Sequence, residues 1–314
     1  MIFLTTFISI IPIIILIILG YGLQSQTYFS KDFSNDLSKL LMNIALPASV
    51  FVSVLNYLTL QKLIDLVGDL GIVLLALALG YLIAFALVKL LHIKAGRRGI
   101  FINTVVNANT IFIGLPLNLA LFGYKALPYF LVYYIANTIS TWTLGAYLIS
   151  IDSMEMSDSK KHLFDWKKLL PPPLLGFLVA ILTLMIRISL PEPIMKTLTY
   201  LANLVTPLSL LYIGIMLAKA GLDTIRLDKD NLSALFGRFV VAPLLMVGIL
   251  FLFQKDFTDL ESKTYIIQSA TPSLAILPIL ANQAKGDVAY ATNLVTLSTL
   301  LFVIVIPIIL LILG

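Results

Sequence analysis

The chain has no cysteine and only two histidines, and just 12% of its 314 residues are charged, about half the share of a soluble domain. Without cysteine there is no disulfide framework and no thiolate metal site. Hydrophobic residues make up 60% of the chain and the mean hydropathy is +1.02. So little polarity cannot cover a soluble core, so the solvent for most of the chain must be lipid. The net charge of +5 does not point to nucleic acid, because the basic residues lie in short stretches between apolar runs and not on one polar face. The first residues lack a basic n-region and a small-residue cleavage site, so the first apolar run is expected as a retained helix.

Charge is also missing from ten long runs: 1–30, 40–61, 70–88, 99–124, 126–151, 169–186, 197–218, 239–254, 264–284 and 288–314. Crossing about 30 Å of hydrocarbon takes about 20 apolar residues, so each run reads as a membrane helix. A β-barrel is excluded, since its strands are about ten residues long and alternate polar with apolar. The expected class is an all-α polytopic protein of ten transmembrane helices in the cell membrane. With the N-terminus outside, the cytoplasmic loops and their flanks hold 15 of the 21 Lys and Arg residues, so both termini are expected to be extracellular.

The halves echo each other. Leu41, Asn43, Pro47 and Ser49 of the second run recur as Leu201, Asn203, Pro207 and Ser209 of the seventh at an offset of 160. Ala108, Leu115 and Pro116 of the fourth recur as Ala270, Leu277 and Pro278 of the ninth at an offset of 162. Five spans per unit is an odd number, so the second unit must be inverted, as is common in secondary transporters. The expected organisation is a first five-helix repeat over 1–152, a cytoplasmic hinge loop over 153–168 and an inverted repeat over 169–314.

Proline inside a helix removes one hydrogen bond and clashes with the preceding turn, at a cost of about 3 kcal/mol. Irregular backbone survives within a bilayer only where it faces protein or a watery cavity. The fourth run carries Gly114-Leu115-Pro116 and the ninth carries Pro272 and Pro278, so breaks are expected at matching places, with the two helices crossing. Such paired breaks point to a binding site. A broken helix exposes N–H groups worth roughly half a positive charge, enough to hold a carboxylate without a buried base. No charged residue is expected in the middle of a span.

The candidate substrate-binding residues are the polar groups and break residues around these points. From the first half they are Asn43, Ser49, Asn107, Asn109, Thr110, Gly114, Pro116 and Asn137. From the second they are Gln268, Thr271, Ser273 and Pro278. Asn43 could line the site or satisfy carbonyls freed by Pro47, and Asn203 is expected to do the latter beside Pro207. Arg238, at the cytoplasmic start of the eighth span, is expected to snorkel there, with attraction of anions into an inward vestibule as the alternative. Pro171-Pro172-Pro173 reads as a structural helix start.

These residues resemble the auxin efflux carrier family. Leu46-Pro47 with Phe51 is similar to its second helix, and Asn109-Thr110-Ile111-Phe112-Ile113-Gly114-Leu115-Pro116 before Phe122-Gly123 is similar to its fourth-helix signature. Asn137 with Trp142 to Gly145, Thr206-Pro207-Leu208 with Gly214, and Gly286-Asp287 followed by Leu297-Ser298-Thr299 and Pro307 extend the likeness along nearly the whole chain. The resemblance implies a five-plus-five inverted fold. It also implies a transport domain moving as an elevator against a scaffold of spans 1, 2, 6 and 7, which often forms a dimer. Its bacterial members resemble permeases for malate, malonate and related carboxylates. Ile276 stands where the family often has Asn, which leaves the crossover place of the ninth span to Pro278.

The function expected is therefore secondary transport of a small organic anion, with no cofactor and no catalysis. The partners expected are that anion, the lipid bilayer and a second copy in a homodimer. A proton or sodium ion remains a candidate coupling partner, although no Asp, Glu or His lies within a charge-free run to serve as a proton relay. The alternatives are a sodium-coupled symporter of bile-acid-transporter type and an anion channel. An intramembrane enzyme would need a carboxylate pair, a His cluster or a Ser–His arrangement in the spans, and none is there.

Overall fold

A computed structural model describes residues 2–30, 32–152, 171–188, 190–220, 225–253 and 257–313. The hinge loop expected at 153–168 lies outside the described residues. The described chain is almost wholly helical, and its only β-type pairing is a single bridge between Ala108 and Ser273.

In chain order the helices are α1 (Ile2–Ser25), α2 (Phe33–Tyr57), α3 (Leu60–Leu90), α4 (Arg98–Val106), α5 (Thr110–Phe122), α6 (127–151), α7 (Pro172–Ile186), α8 (Glu192–Lys219), α9 (Lys229–Phe253), α10 (Asp259–Ser269), α11 (Leu277–Gln283) and α12 (Val288–Leu313). Five of them, α2, α3, α8, α9 and α12, are long and apolar enough to cross a membrane. The apolar parts of α1, α5 and α7 are shorter. Large apolar side chains such as Leu82, Phe251 and Ile312 face outward, while Asn103, Asn107, Asn118 and Gln268 are wholly buried. This inside-out distribution is that of a multi-pass membrane protein.

The prolines leave a common mark. In α2, α5 and α9 the residue before Pro47, Pro116 and Pro243 donates its N–H five residues back, from Leu46 to Leu41, from Leu115 to Thr110 and from Ala242 to Gly237. Each proline ring would press on the carbonyl four residues upstream. One widened π-turn moves that carbonyl aside and keeps the helix running. In α8 the helix is instead interrupted at Leu204, three residues before Pro207. The Asn203 Oδ1 accepts from the Tyr124 hydroxyl at 2.7 Å.

Packing separates two groups of helices. In one, α1 packs along α8 and α2 packs on α7 and α8. Gly20 lies against the Leu211 backbone and Gly214 against the Ile17 carbonyl, where a Cβ would collide, so the two helices meet backbone to backbone. The other group contains α3 to α6 and α9 to α12, with α3 against α4 and α6 and α11 against α12. Between the groups lies an apolar seam of Ile13, Ile17, Ile113, Leu117, Leu210, Ile213, Phe302 and Ile306.

Candidate functional site

Two unwound segments meet at the centre of the second group. Helix α4 stops at Val106, Asn107 turns to extended backbone, and α5 begins only at Thr110. Helix α10 stops at Ser269 and α11 starts at Leu277. The strands of loop between them pair antiparallel, with Ala108 bridged to Ser273 and the Asn109 N–H donating to the Pro272 carbonyl at 2.8 Å. The first break is thus displaced from its expected place, while the second falls at the first of its two prolines. The first lies at Asn107–Asn109, upstream of Gly114-Leu115-Pro116, because the π-turn absorbs Pro116. The second centres on Pro272 and Ser273, while Pro278 sits in the first turn of α11, where its missing N–H costs nothing. Pro278 does not take the crossover place.

Each unwound peptide is held by a side chain from a neighbouring helix. The Asn137 amide of α6 accepts from the Ala108 N–H at 2.8 Å and donates to the Ala108 carbonyl at 3.0 Å, completing both backbone groups as a second strand would. On the other side the Ser298 hydroxyl of α12 accepts from the Ser273 N–H at 3.2 Å and lies 2.7 Å from the Ser273 hydroxyl. Asn107 belongs to a buried polar strip: its amide donates to Asn103 and to the Tyr81 hydroxyl, and its Oδ1 accepts from Ser140 at 2.6 Å. Thr271 bonds back to the Gln268 carbonyl, capping α10. Gln268 donates to the Gly114 carbonyl at 3.0 Å, tying α10 to α5.

A cavity of about 340 Å³ opens beside the crossing. Asn109, Thr110 and Phe112 at the start of α5 form one wall, and Tyr134, Asn137, Thr138, Thr141 and Trp142 of α6 form another. Leu274 to Ile276 before α11 close it on a third side, with Met42, Pro171 and Pro172 completing it from the other helix group. Among the described residues its lining includes no Lys, Arg, His, Asp or Glu. The Asn109 side chain caps α5 by accepting from Phe112 N–H at 3.3 Å. The Thr110 N–H turns back to the Ala108 carbonyl at 2.9 Å, and the remaining first-turn N–H groups make this end the electropositive pole of the cavity. The Tyr134 hydroxyl lies beside that of Thr138, and the Thr141 hydroxyl is buried without a hydrogen-bond partner among the described residues.

Of the twelve candidate residues, Asn109, Thr110 and Asn137 line this cavity. Asn107, Gly114, Pro116, Gln268, Thr271, Ser273 and Pro278 stand behind it as the framework of the crossing. Asn43 is exposed and Ser49 is buried in α2, and neither lines the cavity. The residues missed were Tyr134, Thr138 and Thr141, although their spacing along α6 with Asn137 is a helical face of polar groups. The proline triplet, read as purely structural, also contributes lining.

Two charges contradict the expectation of uncharged spans. Arg238 lies on the π-turn of α9, has no exposed surface and donates to the Ser269 carbonyl at the end of α10. It does not snorkel. It caps the negative end of the broken helix, with the Tyr133 hydroxyl as a further polar neighbour. Asp69 of α3 is 2% exposed and accepts from the Tyr265 hydroxyl at 3.0 Å. A buried carboxylate therefore does exist within a long apolar helix.

Outside the spans, Arg97 gathers three carboxylates: Asp287 at 2.7 Å, Asp228 at 2.9 Å and Asp230 at 3.3 Å. Asp228 caps α9 through the Asn231 N–H and Asp287 caps α12 through the Tyr290 N–H. Burial opposes the Arg97 charge, but Asp287 and Asp228 outweigh it and hold the guanidinium above its ordinary pKa. For Asp228 burial again opposes the charge, and the Asn231 N–H with Arg97 prevails, drawing the carboxyl below its usual value.

Comparison with known proteins agrees with this architecture. A family described as membrane transport protein matches residues 5–310. An uncharacterized transporter of Methanothermobacter thermautotrophicus is 25% identical over 308 residues, covering 98% of each chain. An uncharacterized transporter of Methanocaldococcus jannaschii is 22% identical over 301 residues, covering 95% of each. With nearly its whole length matched, the chain belongs to the membrane transport protein family, that of the auxin efflux carriers.

Proposed function

We propose that this transporter carries a small organic anion, a malate- or malonate-like carboxylate, by elevator-type alternating access. The observation that carries this reading is the cavity of about 340 Å³ at the crossing, at the lower end of small-molecule sites. It combines an electropositive helix start and amide and hydroxyl groups with an apolar, aromatic wall. A carboxylate would sit on the first turn of α5 near Asn109 and Thr110. The carbon chain would lie against Phe112, Trp142 and Ile276.

In this proposal the chain crosses the membrane ten times as two inverted five-helix repeats. The matched clasps support that layout, since Asn137 and Ser298, which hold the two unwound peptides, are 161 residues apart. The group of α1, α2, α7 and α8 would be the scaffold and the homodimer surface, and the rest would move with the substrate. The cavity is lined from both groups, as alternating access between them requires.

The test is a thermal-shift screen of mono- and dicarboxylates on purified protein, followed by counterflow in proteoliposomes. A ligand present at 100 times its Kd stabilises by about 2.7 kcal/mol. Asn109→Ala should lower affinity about tenfold with folding retained, because it removes a cap and a cavity wall while the Asn137 clasp stays. Flux that stays linear and insensitive to trans substrate would instead indicate an anion channel. Dependence on a sodium jump would assign the sodium-symporter alternative.

A further inference from the structure

A second cavity lies at the far end of α3, and its charge is unbalanced in a way that points to a ligand. It measures about 580 Å³ and is lined by Lys89, His92, Lys94 and Arg98, with Asp152 as the only carboxylate among the described residues. Asp152 is already engaged, accepting from the Gly99 N–H at 3.0 Å at the start of α4. The contrast with the adjacent Arg97 is sharp. Arg97 has three carboxylates around it, whereas among the described residues Lys89, Lys94 and Arg98 form no salt bridge. Arg98 spends its Nε on the Ile93 carbonyl at 3.0 Å, which fixes the guanidinium while leaving its terminal nitrogens for a ligand.

The rest of the lining is apolar: Phe85, Val88, Ile93, Ile102, Leu148 and Ile151. From the cations an apolar track continues outward. Leu82 and Phe85 of α3 are 64% and 42% exposed and share a helix face with Lys89. On α6, Leu144, Tyr147 and Ile151 are 52%, 57% and 57% exposed and form a second stripe at the same helical spacing. Helix α4 packs against both α3 and the end of α6, so the two stripes flank a groove with Gly99 and Ile102 within it. A free soluble anion would need the cations alone. Cations at one end of an outward-facing apolar groove match an amphiphile.

We propose that this groove binds an anionic phospholipid, its phosphate headgroup held by Lys89, Lys94 and Arg98 and an acyl chain lying between the stripes of α3 and α6. The site is separate from the crossing cavity and shares no lining residue with it.

The test uses the full chain in nanodiscs of dioleoyl-phosphatidylcholine doped with dioleoyl-phosphatidylglycerol, with bound lipid counted by native mass spectrometry after release. The wild type should retain phosphatidylglycerol in preference to phosphatidylcholine. Each cation near an anionic surface is worth about fivefold in affinity, so Lys89→Gln/Lys94→Gln/Arg98→Gln should lose on the order of a hundredfold. A matched Lys62→Gln/Lys125→Gln/Lys196→Gln variant should retain the preference. If the triple variant unfolds, the exposed single variants Lys89→Gln and Lys94→Gln should each lose about fivefold. An unchanged preference in these variants overturns the proposal. So does the absence of any preference in the wild type. Displacement of the lipid by millimolar inorganic phosphate would show a site for soluble phosphate and would also overturn it.

Discussion

A buried hydroxyl without a partner forfeits its hydrogen bonds to water and gains nothing in return. Thr141 carries one beside the crossing cavity, in contrast to the neighbouring Asn137, whose amide is used on Ala108. Residues kept for folding and residues kept for a ligand should therefore separate experimentally. Thr141→Val preserves shape and removes the orphan oxygen. It is expected to leave the unfolding midpoint unchanged or to raise stability by up to about 1 kcal/mol. Substrate affinity in the same protein should fall about fivefold, the worth of one neutral hydrogen bond. Isothermal titration with the best carboxylate of the screen, alongside thermal unfolding, reads both. A loss of stability without a loss of affinity would place Thr141 in the framework. Arg238 shows the limit of reading residues one at a time. The charge-free run of the eighth span begins just after it, yet it is wholly buried, on a π-turn and donating to the Ser269 carbonyl.

Among elements, the broken helices were legible as a pair and misplaced in detail. Gly114-Leu115-Pro116 and Pro272 to Pro278 marked the right segments. Proline acts upstream of itself, however, and helix α5 meets its clash by widening one turn, so the true opening falls at Asn107–Asn109. The role of Gly114 follows from its neighbour. A Cβ there would overlap the Gln268 amide, the group that joins α10 to α5. Gly114→Ala is expected to destabilise by about 1–3 kcal/mol. Gln268→Ala in the same chain should recover part of that loss, a coupling that a double-mutant cycle of unfolding midpoints measures. The Arg97 cluster joins the starts of α9 and α12 outside the membrane and was not foreseen, because its carboxylates lie 131 to 190 residues from Arg97 in sequence. Asp228 titrates below its usual value, so its contribution is present above about pH 4 and is lost as the pH falls through the lowered pKa. The raised Arg97 pKa keeps that partner charged throughout this range. Asp228 is 43% exposed, which limits the effect to about 0.5–1 kcal/mol. Asp228→Asn should thus lower the unfolding midpoint by about 1–3 °C at pH 7, a difference that shrinks as the pH falls below about 4.

At the scale of the molecule, the two helix groups differ in what joins them. Within each group glycines let backbones touch or polar side chains clasp, whereas the seam between α1, α8, α5 and α12 is aliphatic and aromatic. Apolar surfaces without interlocking hydrogen bonds can slide with little directional cost, which suits the proposed elevator movement. Among the described residues, Tyr124 concentrates the polar contact across this boundary. Gly123, with φ of 68°, ends α5 and turns the chain so that the Tyr124 carbonyl accepts from Ser53 at 2.8 Å and its hydroxyl donates to Asn203 at 2.7 Å. Both partners belong to the proposed scaffold, and Tyr124 belongs to the proposed moving group. If the boundary slides, that hydroxyl bond must break in each cycle. Tyr124→Phe keeps the ring and deletes the bond, so it is expected to lower the barrier by about 0.5–1.5 kcal/mol and to raise the exchange rate about two- to tenfold. Substrate KM should stay the same, because Tyr124 does not line the cavity. Counterflow at saturating substrate in proteoliposomes reads the rate. An unchanged rate with an unchanged KM would mean that the Tyr124 bond travels intact, and the moving boundary would then have to be drawn elsewhere than between α5 and α8.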